Sequence, residues 1–529
     1  MIHNPIIKGF NPDPSILRVG QDYYLATSTF QWFPGVQIFH SRDLANWQLI
    51  DHGLKDQLHL NLVGVPDSGG VWAPSLSWHD GVFHLVYTIV RTAAPGRAFK
   101  DTHNYLITAE SIHGPWSEPV FLNSSGFDPS LFHDDDGRKW VVNMLWDYRR
   151  QGIDRFQGMI LQEYDPHARR LCGAITNILQ KPVLIEGPNL YKRAGWYYLM
   201  MAEGGTGYKH AVSMARSHCI TGPYELDPQP QVMTASGDPS LELQKAGHGE
   251  LVETEAGEWY LAHLASRPVG PDRRCILGRE TCLQKVEWSA DGWLRLADGG
   301  IRPSVQVPVS LPAHPWPTRP DRDDFDEATL GPDWASLRTP VDPSWASLSE
   351  RPGWLRLRGR ESLFSLHDQS LVAQRLQGFR VKIETRMDFK PTGILQSAGL
   401  ICYYDTRGHY YLRATYHEDQ GRILGFVQTD EAVYQELSDS QIPINDWSDL
   451  FLRAEIDHEK LQFFASKDAG HWIAIGPILD MTKLSDDYGS GAFRFTGTLC
   501  GLCAQDLGGT RVHADFDYFT MAAAKNSIL

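Results

Sequence analysis

Three carboxylates in this 529-residue chain stand just ahead of a proline in nearly the same setting. Asp13 lies in Asn11-Pro12-Asp13-Pro14-Ser15, Asp128 in Gly126-Phe127-Asp128-Pro129-Ser130, and Glu186 in Glu186-Gly187-Pro188-Asn189. Gathered around one cavity, three such acids can hydrolyse an acetal. One protonates the departing oxygen, a second activates water, and the third perturbs the other two by its charge. An Asp before Pro is by itself an ordinary turn-former. What sets these three apart is their phase.

Two further segments, Val71-Trp72-Ala73-Pro74-Ser75 and Gly247-His248-Gly249-Glu250-Leu251, complete a series. From Pro14 through Pro74, Pro129 and Pro188 to Gly249, the steps are 60, 55, 59 and 61 residues. Each marker runs into a turn and then an aromatic-rich strand, such as Asp80-Gly81-Val82-Phe83 or Gly195-Trp196-Tyr197-Tyr198. That is hairpin grammar. About four strands per repeat, five times over, predicts a five-bladed β-propeller, whose radial repetition leaves only short strand edges. Innermost strands start near the axis, so acids from blades one, three and four converge on one funnel. Asp238, in Ser236-Gly237-Asp238-Pro239-Ser240, shares the tripeptide but falls out of phase and reads as a loop residue.

The chain is too long for one core and should divide. Val307 to Arg322 holds five prolines, which favour an extended connector. Beyond it, strands such as Phe379-Arg380-Val381-Lys382-Ile383-Glu384 alternate apolar and charged residues with no helical period. The reading is all-β: a propeller over 1–305, a linker over 306–322, and a jelly-roll, concanavalin-like β-sandwich over 323–529.

Composition narrows the partners. The net charge of −15, without a clustered basic run, argues against nucleic acid. Seventeen Trp and twenty Tyr offer flat faces that suit sugar rings. The N-terminus carries no basic and apolar leader, and no apolar run is long enough for a bilayer, so a cytoplasmic protein without membrane contact is expected. Seven scattered cysteines, Cys172, Cys219, Cys275, Cys282, Cys402, Cys500 and Cys503, read as reduced thiols. Cys500 and Cys503 form a lone C-x-x-C, and a zinc site would need a second pair.

The run from Asn11 to Val36, with Trp72-Ala73-Pro74, Phe127-Asp128-Pro129-Ser130, Glu186-Gly187-Pro188, Gly278-Arg279-Glu280-Thr281 and Phe495-Thr496-Gly497, resembles glycoside hydrolase family 43. The likeness is nearest to its β-xylosidases with a C-terminal sandwich and spans the whole chain. It implies that Asp13 is the general base, Glu186 the general acid, and Asp128 the residue that tunes and orients the acid. It implies inversion, with carboxyls about 6.5–9.5 Å apart. Phe30 and Trp72 then wall the terminal-sugar site, and Trp146 is a platform for the leaving sugar. Arg279 bonds sugar hydroxyls, and Thr206 and His248 line the floor. No cofactor is expected to be required, although in some relatives a histidine at the place of His248 faces a calcium ion held mostly through water, and in others no metal is seen.

The resulting expectation is an exo-acting, inverting β-xylosidase on xylo-oligosaccharides, with side α-L-arabinofuranosidase activity, working as a homo-oligomer. A mainly arabinofuranosidase enzyme and a non-catalytic sugar-binding propeller are the alternatives. The sandwich is expected to complete the pocket wall. Leu499 stands where relatives place an aromatic lid, so either Leu499 or Phe495 would serve there.

Overall fold

Proline and the pleat explain the repeats. Each marker proline sits where the first strand of a blade begins or bulges, because a residue without an N–H cannot serve in a continuous ladder. Pro14 and Pro129 come one residue before strands Ser15–Val19 and Ser130–His133. In the other three blades the ladder shifts register across the marker, between Trp72 and Ser75, Glu186 and Asn189, and Gly247 and Glu250. Such bulges re-aim side chains out of the alternation.

The computed structural model describes residues 1–94, 96–489 and 493–524. It divides into two units. The first holds Met1–Leu60, Gly69–Arg267 and Arg279–Trp316; the second holds Asn61–Ser68, Pro268–Gly278 and the chain from Pro317 onward.

The first unit is a five-bladed β-propeller of antiparallel sheets. Blade one runs Ser15–Val19, Asp22–Thr27, Gly35–Ser41 and Gln48–Leu54. Blade two runs Gly70–His79, Val82–Thr92, Asp101–Ala109 and Val120–Asn123. Blade three runs Ser130–His133, Lys139–Trp146, Phe156–Asp165 and Arg170–Leu179. Blade four runs Ile185–Arg193, Trp196–Glu203, Ala211–Ser217 and Glu225–Leu226, with Met233–Thr234 added beside its third strand. Blade five runs Gln244–Glu253, Trp259–Ser266, Glu280–Trp288 and Leu294–Leu296. The first hairpins of blades two and four turn at Asp80-Gly81 and Ala194-Gly195, with both φ angles positive in each pair. That is the turn whose twist matches the strands, and glycine takes the second position without a steric cost.

Serines of the repeated motif clip neighbouring blades together. Ser15 Oγ accepts from the Leu76 backbone N–H at 2.8 Å, and Ser130 Oγ donates to the Pro188 carbonyl at 2.6 Å. Asp238, by contrast, is spent on its own turn, where it accepts from Ser240 N–H and Oγ.

The proline-rich run proves to be largely part of the propeller, a correction to the linker expected over 306–322. Gln306–Val307 pairs with Ile2–His3 as a closing two-stranded sheet. Beyond it the Pro308 carbonyl accepts from Tyr260 Oη, Ser310 Oγ donates to Glu258, and the His314 N–H donates to Asp43. Within this run, only Pro317 onward belongs to the second unit. Proline suits such a strap, since it stays extended and leaves neighbouring side chains to make the attachments.

The second unit is a sandwich of two antiparallel sheets. One orders Ala346–Ser347, Leu355–Arg358, His513–Ala523, Arg380–Phe389, Leu450–Asp457, Lys460–Ser466 and Ile473–Asp480. The other orders Val433–Glu436, Gly421–Asp430, Gly408–His417, Gln396–Asp405, Leu499–Asp506, Ser370–Arg375 and Ala335–Leu337. Their facing side chains, including Ile383, Leu452, Phe463, Leu400, Leu412 and Leu502, form one apolar core. Cys500 and Cys503 share a strand, and positions three apart point to opposite faces, so the pair makes no chelate. Leu499 is fully buried in that strand, whereas Phe495 is half-buried against Phe493.

Two short segments of propeller sequence are held in this second unit. Arg338, fully buried, donates to the Val65 carbonyl at 2.7 Å and pairs with Asp67 at 2.7 Å. Phe495 N–H donates to Ser68 Oγ at 3.0 Å, and Thr498 N–H donates to the Ile276 carbonyl. The chain leaves these segments directly into Gly69 and Arg279.

Candidate active site

The blade-leading positions carry, in order, Asp13, Trp72, Asp128, Glu186 and His248. Asp13, Asp128 and His248 hold positive φ values of 55°, 55° and 51°, and Phe30 sits at 53°. Residues other than glycine seldom adopt this region, and a cluster of them at one end of a blade ring is where a fold stores strain to aim functional groups.

Asp13 is buried and fully engaged. Its Oδ2 accepts from Ser28 Oγ at 2.7 Å, and its Oδ1 accepts from Arg279 Nη1 at 3.0 Å. His248 Nδ1 stands 3.3 Å from the same Oδ1. Burial alone would raise the Asp13 pKa, but Arg279, His248 and Ser28 together outweigh it and hold the carboxyl well below the usual range. The loop around Asp13 is fixed by Arg279 and the start of the strand that follows it: Asn11 N–H donates to the Arg279 carbonyl, and Thr281 Oγ1 donates to the Asn11 carbonyl. Arg279 Nη1 also donates to Thr206 Oγ1 at 3.2 Å, and its guanidinium lies 5.4 Å from the Phe30 ring centre.

Asp128 and Glu186 form the opposite electrostatic case. Asp128 accepts from the Gly187 backbone N–H at 3.1 Å, so it reaches across to the residue that follows Glu186. Burial raises both carboxyls, and each is raised further by a neighbouring carboxylate, Asp128 acting on Glu186 and Asp13 on Asp128. His248 and Lys100 oppose the rise without cancelling it. With both raised toward neutrality, the pair gives up its protons later than ordinary carboxyls do.

Two glycines make room for the histidines here, Gly187 for His248 and Gly247 for His210. A Cβ on Gly187 would meet His248 Nε2 at 2.8 Å, and one on Gly247 would overlap the His210 ring at 1.9 Å. Burial works against protonation of His248, but its hydrogen bond to Asp13 and the charges of Asp13, Asp128 and Glu186 raise it to about 9. An imidazolium has no lone pair for a cation, its Nδ1 faces Asp13, and no set of three convergent ligand atoms among the described residues includes it. As the partner of Asp13, His248 has no lone pair to give a calcium ion directly.

The aromatic wall is continuous. Phe30 lies 5.9 Å from Trp72, Trp72 lies 5.2 Å from Phe127, and Phe127 and Trp146 each lie against Phe156. Phe30 and Val71 exchange both backbone hydrogen bonds, which locks the wall between blades one and two. Trp146 Nε1 donates to the Ala98 carbonyl, and Lys100 Nζ stands 4.1 Å over its ring centre.

A profile described as "Glycosyl hydrolases family 43" matches residues 2–294. This chain belongs to that family. A second profile, "Beta xylosidase C-terminal Concanavalin A-like domain", matches residues 322–522. The chain is 46% identical to a "Xylan 1,3-beta-xylosidase" of a Vibrio species, covering 98% of each. It is 48% identical to "Xylosidase/arabinosidase 43B" of Humicola insolens, covering 98% of this chain and 97% of that one. Among solved structures, a xylan β-1,4-xylosidase from Bacillus halodurans C-125 superposes with a TM-score of 0.96 at 53% identity, covering 98% of this chain and 100% of the other.

Within this family 43 chain, the sequence-derived residues of the first unit fall into two linked groups: Asp13, Arg279, Thr206, His248 and Phe30, and Asp128, Glu186, Trp72 and Trp146. Reading the sequence missed three contributors. Ser28, within the Thr27-Ser28-Thr29-Phe30 run, bonds the Asp13 carboxylate. Glu250, two residues past His248, accepts from the Ile16 N–H at 2.9 Å and so ties blade five to blade one. Lys100 belongs to no motif and gave no signal. Burial lowers it to about 8, against the pull of Glu186 and Asp128, and its ammonium faces Trp72, Phe127 and Trp146.

Proposed function

We propose that this family 43 chain is an exo-acting, inverting β-xylosidase that releases xylose from the non-reducing ends of β-1,4-xylo-oligosaccharides, with side activity on α-L-arabinofuranosides. The observation that carries the reading is the unequal surroundings of the in-phase acids. Asp13 is bonded by Arg279 and Ser28 with His248 beside it, which favours its anion. Asp128 reaches the residue after Glu186, and each of that pair meets another carboxylate, which favours keeping a proton. A sugar-binding propeller without catalysis has no need of that division. The alternative of a mainly arabinofuranosidase enzyme rests on the Humicola relative, which is named for both activities.

In this mechanism Glu186 gives its proton to the glycosidic oxygen as the bond to the anomeric carbon breaks. Asp13 takes a proton from a water that attacks the opposite face, so the product leaves with inverted configuration. Asp128, held by the Gly187 N–H, keeps the acid charged with its proton and aimed. Arg279 and His248 fix the base in its anionic form, and Phe30 and Trp72 keep the terminal sugar dry, which strengthens each polar contact.

The pH profile tests the assignment. Glu186 works only while protonated, and with its pKa raised to about 7 activity is expected to fall as pH rises through neutrality. Asp13 works only while ionised, and because its pKa is depressed the acid-side loss should lie well below pH 4. An aryl β-xyloside and an aryl α-arabinofuranoside, assayed side by side from about pH 4 to 9, should show the alkaline fall and no acid-side fall within that range. Turnover of neither substrate sinks the function, and an alkaline optimum sinks the acid–base assignment. Comparing 1,4- with 1,3-linked xylobiose settles the linkage.

The sandwich unit is proposed to be required for catalysis. The residues that lead into Trp72 and Arg279 are held by Arg338, Phe495 and Thr498. A chain ending at Trp316 is therefore expected to lose at least tenfold in kcat/KM on soluble xylobiose, as one misplaced contact can cost that much and more. A folded truncation with full xylobiose activity defeats the proposal.

A further inference from the structure

We propose that Glu250 is a positioning residue for the base Asp13, and that it closes a series of side-chain clips linking each blade to the next immediately downstream of the acids. The proposal rests on the xylosidase reading above. The first strand of every blade lies at the edge of its sheet, so alternate backbone N–H groups have no neighbouring strand to bond. Where such a donor is buried, as at Ile16, it needs another acceptor. The residues one place beyond the five markers are Ser15, Ser75, Ser130, Asn189 and Glu250. Ser15 Oγ accepts from Leu76 N–H, Ser130 Oγ donates to the Pro188 carbonyl, and Asn189 Nδ2 donates to the Gly249 carbonyl, each in the next blade. At the seam of blades two and three the clip falls farther along, where Ser77 Oγ stands 3.0 Å from His133 Nε2. Glu250 joins the last blade to the first, and it is the carboxyl of the set.

That seam is the one on which Asp13 depends. Glu250 Oε2 accepts from Ile16 N–H at 2.9 Å, and the Ser15 hydroxyl bonds the same carboxyl. Asp13 stands two residues before Ser15 with a φ of 55°, a conformation that persists only when the chain on both sides is fixed. Upstream, Asn11 is bonded by Arg279 and Thr281. Downstream, the N–H that the blade's own ladder leaves over goes to Glu250. Glu250 cannot drift, because blade four holds it on either side. The Gly249 carbonyl before it accepts from Asn189 Nδ2 at 3.3 Å, and the Leu251 N–H after it donates to Tyr191 Oη at 2.9 Å. Ser130 does for the acid what Glu250 does for the base, since its hydroxyl holds the Pro188 carbonyl two residues past Glu186. The two clips belong to one series yet serve opposite halves of the reaction.

Four variants test this: Glu250→Leu, which fills the space without an acceptor, Glu250→Gln, which keeps an acceptor oxygen, Ser15→Ala and Ser130→Ala. Each is assayed on xylobiose and on an aryl xyloside with an acidic phenol, and its melting temperature is measured. Glu250→Leu is expected to lower kcat about tenfold or more on both substrates alike, with KM within about twofold, because a displaced base slows the attack of water whichever group departs. Ser15→Ala should show the same even loss at about fivefold, and Glu250→Gln should stay within about threefold of the unaltered enzyme. Ser130→Ala should instead lose chiefly on xylobiose, where protonation of the leaving group matters. Clips that merely hold blades together would give one pattern at both seams. An unchanged kcat or a loss selective for xylobiose in Glu250→Leu overturns the assignment, and so does a glutamine variant as impaired as the leucine one. If the leucine variant does not fold, Ser15→Ala decides, and an unchanged kcat there overturns the assignment too. Failure of the unaltered enzyme on both substrates would strike the xylosidase reading instead.

Discussion

Glu186→Ala is expected to cut turnover of xylobiose by about 10³- to 10⁴-fold while costing an aryl xyloside with an acidic phenol roughly tenfold or less. The contrast follows from what a general acid supplies. A sugar alkoxide is a poor leaving group and must be protonated as it departs, whereas a nitrophenolate leaves without help. Burial and Asp128 keep the Glu186 proton in place at neutral pH, so its loss removes a function no neighbour can take over. Lys100, the nearest cation over the Trp146 platform, is a weaker donor in the wrong place. The check is a plot of log kcat/KM against leaving-group pKa, which should steepen in the variant. An unchanged slope would mean that Glu186 is not the acid.

Asp13→Asn should lower both substrate classes alike, by about 10³-fold or more, because water must be activated whichever group departs. Asparagine is the better probe than alanine. Asp13 accepts from Arg279 and Ser28, with His248 beside it, and deleting the side chain would leave two buried cationic groups without their anion. Breaking a buried pair in that way costs about 3–5 kcal/mol, which confounds an activity measurement with unfolding. The amide keeps the shape and one acceptor oxygen while losing basicity. Equal kcat/KM ratios for xylobiose and the aryl xyloside, with an unchanged melting temperature, support the base assignment. Selective loss on xylobiose would exchange the roles of the two acids.

Much of this was legible in the chain because a propeller repeats. Equivalent strands fall at equal spacing, so Asp13, Asp128 and Glu186 declared themselves by phase before any coordinates, and Asp238 was excluded by the same rule. The prolines that marked the phase do so for a backbone reason, since a ladder tolerates a missing N–H only at its start or at a bulge. The alternating strands beyond Pro317 likewise announced a sandwich, because a half-buried sheet must alternate.

Other features were not legible, for equally physical reasons. The proline run from Val307 read as a linker because proline signals extension without saying to what the chain is attached. Only pairing with Ile2–His3 and the bonds from Tyr260, Ser310 and His314 show that it closes the propeller. Lys100 has no motif, since a loop cation gains meaning only from the rings and carboxylates it faces. His248 had no partner that the sequence could name, and folding sets its Nδ1 3.3 Å from Asp13.

The sequence by itself determined the repeat, the two all-β units and the identity of three acids, because period, pleat and proline are local properties of a chain. Tertiary structure alone decided which acid is ionised and which keeps a proton. Those states depend on Arg279, 266 residues from Asp13 along the chain, and on Asp128 reaching the Gly187 N–H across two blades. Charge acts through space, and a sequence records order without distance.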